Sequence, residues 1–313
     1  MSTVAARRAA RAVAVAVAGA LVLAGCAAGP QTRREPPRDP RRPVIRVTSF
    51  DFAESQILAE VYARALETRG YPVQRIIGLG SREIVGPALE QGKADLVPEY
   101  LGTALDFYAG GGPRATADQD RTAAELHREL AGRGLASLRS SPAQDQNGFA
   151  VTRETAIARN LHRISDLRAV APGLAIGGPA ECPERPLCLP GLQRRYGLRF
   201  REFRAMPSRS VTAEALEEGE IGVGMLETTS PHLRGGRLIL LADDRALQPA
   251  ENVVPVVRRE VLDAYGPPLA RLLDAVTARL VAGDLIELNG QVELEQRAPA
   301  AVAAAWLREA LPG

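Results

Sequence analysis

From residue 44 onward, short β-branched runs alternate with amphipathic helical runs, and this alternation narrows the fold more than any other feature of the chain. Val44-Ile45-Arg46-Val47-Thr48 reads as a strand. Residues 53–69 read as a helix, with Ile57, Leu58, Val61, Tyr62, Ala65 and Leu66 on one stripe and Gly70 as its stop. Strands at 73–77 and 94–97 flank a helix at 82–91. A βαβαβ opening needs a mostly parallel sheet with crossover helices on its faces. A helix at 120–132 follows. Phe149 opens a second alternating stretch, with helices near 154–160, 190–196 and 212–218 and strands near 174–176, 199–203, 221–225 and 237–242. After a strand at 253–257 the chain turns helical, at 267–281, 284–290 and 299–310. The class is α/β, in two αβ units with a cleft between them. Periodicity does not say which unit the closing helices join, nor does it separate a binding protein from a small enzyme.

The N-terminus says where such a chain works. Arg7, Arg8 and Arg11 precede the apolar run Ala12 to Leu23, which ends in Leu23-Ala24-Gly25-Cys26. A basic start, a short apolar stretch and small residues before a cut make residues 1–25 a secretory signal. The run is too short to span a bilayer as a mature helix. Cysteine directly after Leu-Ala-Gly resembles the bacterial lipobox, which implies that Cys26 becomes an acylated N-terminus and a membrane anchor. Residues 26–43, with Pro30, Pro36, Pro37, Pro40 and Pro43, read as an extended tether. The expected place is extracytoplasmic, lipid-anchored at the outer face of a bacterial cell membrane.

Charge and cysteine usage agree with that address. The formal charge of +2 is carried by the leader: residues 1–42 hold eight Arg and two acids, leaving 31 basic against 35 acidic residues, a net −4, in the body. A mildly acidic body lacks the basic footprint that nucleic acid demands. Cys182 and Cys188, close together in an exported chain, read as a disulfide. A loop this short gains roughly 2 kcal/mol. Their C-x5-C spacing does not suit a redox motif.

Chemistry is sparse. Gly78-Leu79-Gly80-Ser81-Arg82-Glu83 joins a strand to a helix but carries Glu83 where a dinucleotide fingerprint needs its third glycine. The turn retains free N–H groups, around Ser81, for an anion or polar ligand. There is no Walker A, H-E-x-x-H or G-x-S-x-G sequence. His127, His162 and His232 lie far apart, and the three Cys are unclustered. No catalytic residue, cofactor or metal is expected.

Several segments resemble the osmoprotectant family of substrate-binding proteins, the receptors of ABC importers for glycine betaine, choline, carnitine and similar amines. Phe52-Ala53-Glu54-Ser55-Gln56-Ile57-Leu58-Ala59-Glu60 is similar to the family's opening helix, and Leu79-Gly80-Ser81-Arg82-Glu83 with Pro87-Ala88-Leu89-Glu90 to its second. Asp95-Leu96-Val97-Pro98-Glu99-Tyr100-Leu101-Gly102-Thr103 is the most specific piece. Ile164-Ser165-Asp166-Leu167, Leu189-Pro190-Gly191-Leu192, Leu241-Ala242-Asp243-Asp244 and Val253-Val254-Pro255-Val256-Val257 follow in order, so the resemblance covers about 44–310. It implies a type II periplasmic-binding-protein fold with two crossover strands. Lobe I is then 44–147 and 249–313, and lobe II 148–248. A permease and an ATPase are the implied protein partners. The rival readings are an enzyme of the same fold, which export speaks against, and a bilobal sensor or scaffold that binds no solute.

The resemblance also implies a ligand site. A quaternary ammonium has no N–H, so aromatic faces hold it, each worth up to ~2 kcal/mol when desolvated. Tyr100 falls at a cage tyrosine, Thr103 at a ligand-facing hydroxyl, Phe149 at a second ring and Arg185 at a carboxylate-binding arginine. Gln56 and Ser81 belong to the matching segments. Glu227 and Glu251 fall where the family has two more tyrosines. Carboxylates there reward a cation with N–H donors and repel a ligand carboxylate; the expectation is weak affinity for glycine betaine.

Overall fold

A computed structural model describes residues 42–311. The signal 1–25, Cys26 and the tether up to residue 41 lie outside the described residues.

Two five-stranded sheets carry the chain. The first runs β1 (Ile45–Phe50), α1 (Ala53–Thr68), β2 (Val73–Gly80), α2 (Arg82–Glu90), β3 (Leu96–Tyr100), α3 (Leu101–Tyr108), α4 (Gln119–Ala131) and β4 (Leu135–Ser137). The second runs β5 (Asn147–Thr152), α5 (Arg153–Arg159), β6 (Ala175–Gly178), α6 (Leu189–Gly191, continued by a π turn Leu192–Tyr196), β7 (Glu202–Ala205), α7 (Arg209–Glu217), β8 (Val223–Glu227) and β9 (Leu238–Leu241). The chain then returns to the first sheet at β10 (Val253–Arg258) and closes with α8 (Arg259–Tyr265), α9 (Pro267–Thr277), α10 (Ala282–Asn289), a π turn Gly290–Leu294 and α11 (Pro299–Ala310). The strand orders are β2-β1-β3-β10-β4 and β7-β6-β8-β5-β9. Two crossing segments, 138–146 and 242–252, join the sheets and touch through an antiparallel bridge, Gln144 to Asn252.

The closing helices belong to the first sheet. α1 packs on β1 and β2 with one side and on α9, α10 and α11 with the other, so Tyr62, Leu66, Leu273 and Val302 share one core. The buried Tyr62 hydroxyl meets Thr277 Oγ1 at 2.8 Å, fixing α9 against α1. The second sheet has a separate core on each face, with Phe149, Val151 and Met225 on one and Ala150, Leu216 and Leu226 on the other.

Several elements differ from the periodic pattern. The third strand runs on to Tyr100 despite Pro98, because Pro98 faces Pro255 across the β3–β10 ladder. Leu101 N–H donates to Asn252 O, and three steps along, Pro98 and Pro255 fall in a pair that exchanges no hydrogen bonds, so neither missing N–H interrupts the ladder. The periodic pattern does not separate α3, β4 and α8, and the strand expected at 199–203 starts only at Glu202. Cys182 and Cys188 form a disulfide with Cα atoms 5.3 Å apart, both buried in the second sheet's core. Among the described residues no helix is long and apolar enough to cross a membrane.

Candidate functional site

Strand direction decides which side chains can meet. β1, β2 and β3 are parallel, so the residues that follow them emerge at one edge of the sheet: Phe52 and Glu54 after β1, Ser81 and Arg82 after β2, and Thr103 after Tyr100 closes β3. β10 is antiparallel to β3, so the residues that precede it, Glu251 and Asn252, reach that same edge. In the second sheet β5 and β8 are antiparallel, with Asn147 opposite Glu227. Asp145 before β5 and Thr229 after β8 therefore lie together. Carboxyl ends of parallel strands are where open α/β sheets build ligand crevices.

Those residues form one hydrogen-bonded group. Tyr100 O–H donates to Glu54 Oε1 at 2.7 Å. Asn289, the last residue of α10, donates through Nδ2 to Glu54 Oε2 at 2.6 Å and to Thr229 O at 3.0 Å. Thr229 Oγ1 donates to Asp145 Oδ1 at 3.0 Å. The group thus draws on both sheets and on the first crossing segment. Tyr100 stacks on Phe52 with ring centroids 6.1 Å apart, and Phe52 stacks on Phe50 at 5.9 Å. Tyr100 is 6% exposed but Phe52 is 43% exposed, so one ring of the group faces solvent.

The electrostatics are one-sided. Burial pushes the Glu54 carboxyl above its ordinary range, against the donors Asn289 and Tyr100, and Glu227 adds repulsion. Burial, then Glu54 and Glu227, holds Asp145 well above the usual carboxylate value. Tyr100 is raised by burial and by Glu54. The arginines at this edge are already engaged. Arg82 Nη2 and Nε bond the buried Glu99 carboxylate at 2.8 to 3.1 Å, and the guanidinium lies over the Phe50 ring at 4.9 Å. Burial opposes the Arg82 charge and Glu99 outweighs it, so its pKa stands above the ordinary value. Among the described residues, no three His, Cys, Asp or Glu side chains are arranged to hold a metal ion.

The residues expected from the sequence divide. Tyr100 is at the centre. Thr103 is exposed at the start of α3, where its hydroxyl accepts from Arg82 Nη2 at 3.1 Å. Glu251 is beside it, but its Oε2 accepts from Gly102 N–H and Thr103 N–H, both at 3.1 Å, so it serves the α3 N-terminus. A Cβ at Gly102 would stand 2.8 Å from Glu251 Oε1, so glycine is what permits this approach. Burial lifts the Glu251 carboxyl to about 7. Glu227, half-buried, is paired with Arg209 at the start of α7. Gln56 is half-buried near Gly78, and Ser81 stands just before α2 without a side-chain capping bond; among the described residues neither bonds the Tyr100 group.

Two expectations are corrected. Phe149 does not join the Tyr100 group: it is fully buried in the second sheet's core with Val151 and Met225, on a sheet that is packed on both faces. Arg185 is an exposed loop residue paired with Glu181 at 2.7 Å and reaches none of these carboxylates. The residues that sequence reasoning missed are Phe52, Glu54, Arg82, Asp145, Thr229 and Asn289. Phe52, Glu54 and Arg82 lie inside the matching segments and Thr229 stands two residues after Glu227 in another; Asp145 and Asn289 carry no local signal. Two open cavities, of about 850 and 770 Å³, lie elsewhere, beside Arg153 and Arg237 and beside Leu187 and Pro249.

Residues 43–309 match the family described as the substrate binding domain of ABC-type glycine betaine transport systems. The chain is 31% identical to a glycine-betaine-binding protein of Pseudomonas aeruginosa over 85% of this chain and 87% of that one. It is 26% identical to the glycine betaine-binding protein YehZ of Escherichia coli, over 85% and 90%. A crystal structure described as a glycine betaine/carnitine/choline ABC transporter superposes with a TM-score of 0.78 at 23% identity, covering 85% of this chain and 98% of that one. The fold is that of a type II periplasmic binding protein, two mixed αβ lobes, and the relatives are substrate-binding proteins rather than enzymes. The chain belongs to the family of substrate-binding domains of ABC-type glycine betaine transport systems.

Proposed function

We propose that this chain is the extracytoplasmic receptor of an ABC importer, tethered through an acylated Cys26, and that it captures small cationic or zwitterionic solutes of the osmoprotectant class for a permease and its ATPase. One observation carries the reading of the site. Tyr100 and Glu54 from the first sheet are joined through Asn289 and Thr229 to Asp145 on the crossing segment. A solute seated there touches both lobes, and a ligand that binds one relative arrangement of the lobes better than another shifts their equilibrium.

The chemistry of the group favours positive charge. The rings of Tyr100 and Phe52 attract a cation, and the surrounding carboxylates lose their mutual repulsion when one arrives. A ligand of the folded state raises its stability by mass action. A thermal-shift screen of glycine betaine, choline, carnitine, ectoine and polyamines tests the reading: at least one is expected to raise the melting temperature in a dose-dependent way. Silence from every amine, with a response to an unrelated solute class, would set the reading aside. Globomycin-sensitive processing and acyl labelling lost in Cys26→Ala test the anchor.

A further inference from the structure

Glu54 and Asp145 differ from the other acids of the site in one respect. Glu227 has Arg209, Glu99 has Arg82, and Glu251 has the N-terminal amides of α3. Glu54 and Asp145 have no ion-pair partner among the described residues, and the charges that act on them are further carboxylates. Their protein donors are neutral: Tyr100 and Asn289 for Glu54, Thr229 for Asp145. Among the described residues no donor reaches Asp145 Oδ2, and Asp145 is only part-buried.

Unused acceptors accompany them. Asn289 is 3% exposed, and its amide nitrogen is held against Glu54, yet its Oδ1 is buried with no hydrogen-bond partner among the described residues. Ser230, next to Thr229 and also 3% exposed, has an unpartnered Oγ. A buried acceptor without a donor costs about 1–3 kcal/mol, and a quaternary ammonium, having no N–H, leaves that cost in place. A primary ammonium supplies up to three donors, each strengthened when a carboxylate receives it.

We infer that the solute head group bound at Glu54 and Asp145 is an N–H-bearing cation, a primary or secondary ammonium or an amidine-like group, rather than a fully methylated one. This rests on the receptor reading above and specifies its ligand. Asp145 and Glu54 take the charge, Asn289 Oδ1 takes a donor, and the rings of Tyr100 and Phe52 flank the group. A solute carboxylate meets further negative charge from Glu227 and Glu251, so zwitterions with their carboxylate close to the amine are disfavoured.

A methylation series decides it. Ethanolamine, N-methylethanolamine, N,N-dimethylethanolamine and choline share a skeleton and lose one N–H at a time. Calorimetric titration of the purified chain is expected to show affinity falling along the series, with choline about tenfold or more weaker than ethanolamine and glycine betaine weaker than choline. Asp145→Asn is expected to flatten the series while circular dichroism and melting stay close to wild type. Should that variant fail to fold, the order in the wild-type chain decides alone. Choline binding more tightly than ethanolamine would overturn the inference and leave the receptor reading standing. An undiminished preference in folded Asp145→Asn would remove Asp145 from the site and overturn it as well. Absence of binding by the whole series and by glycine betaine at millimolar concentration would overturn both.

Discussion

The phenol of Tyr100, at the end of β3, donates its hydrogen bond to Glu54 in the first turn of α1 at 2.7 Å, although the two residues lie 46 positions apart. Both follow or close parallel strands of one sheet, so the contact is a consequence of strand direction. It locks the ring that flanks the site and satisfies one oxygen of a buried acid. Ring position and carboxylate charge are therefore set by the same bond.

Tyr100→Phe keeps the ring and deletes the donor. Hydrogen bonds to charged groups contribute about 1.5–3 kcal/mol, and here Asn289 still serves the other oxygen. The expected loss is about 1–2 kcal/mol in urea unfolding at an unchanged m-value. No loss would mean that Glu54 is satisfied without Tyr100.

Arg82 and Glu99 provide the matching test of a paired charge. Glu99 has a side chain 1% exposed, and among the described residues only the Tyr100 backbone N–H, at 3.2 Å, joins Arg82 in reaching its carboxylate. Arg82→Met leaves that charge buried and unpaired, with an expected cost of about 3–5 kcal/mol. Adding Glu99→Gln is expected to restore most of it, since the uncompensated charge goes with it. A double variant as unstable as the single one would place the cost in packing over Phe50 instead.

The parallel start of the fold is written in the period of the chain, since the stripe Ile57, Leu58, Val61, Tyr62 and Ala65 has only one way to bury itself. The third strand reads as ending at Val97, since nothing local shows that Pro98 lies opposite Pro255, 157 positions on, where neither needs an N–H. The site is legible only in part for the same reason. Tyr100, Thr103 and Gly102 lie in one run, whereas Asn289 and Glu54 are 235 positions apart and meet only after α10 returns to the first sheet. Phe149 misleads because ring type is visible in a sequence and burial is not: the second sheet is packed on both faces, so a ring within β5 lies in a core whichever way it points.

The disulfide is expected to be structural. Cys182 and Cys188 are both buried, and Gln248 Nε2 on the second crossing segment donates to Leu187 O within their loop at 2.8 Å. Closing so short a loop contributes roughly 2 kcal/mol. Non-reducing mass spectrometry of exported protein is expected to find no free thiol, and reduction to lower unfolding stability by that amount. Two free thiols on folded, exported protein would sink this expectation.

Glu251 makes stability depend on pH in an unusual direction. Burial lifts its carboxyl from 4.5 to about 7 in the folded chain, so between those values the folded state keeps a proton that the unfolded state has lost. Its contribution is complete below the unfolded value and is lost as pH rises through the folded one, amounting to about 3 kcal/mol at most. Glu54 and Asp145, raised by burial and by neighbouring carboxylates, act in the same direction. His232, lowered by burial, acts in the opposite one. The surface acids Glu67, Asp166 and Asp244 are lowered, so their stabilisation fades only below the ordinary carboxylate range, outside this window. Wild-type chain is therefore expected to be more stable to urea near pH 5 than at about pH 7.5. Glu251→Gln keeps an oxygen to accept from Gly102 and Thr103 but cannot titrate, so its drop over the same interval is expected to be smaller by about 1 kcal/mol or more. Equal drops in the two proteins would show that Glu251 stays ionised throughout, held by the α3 amides and Arg82 against its burial.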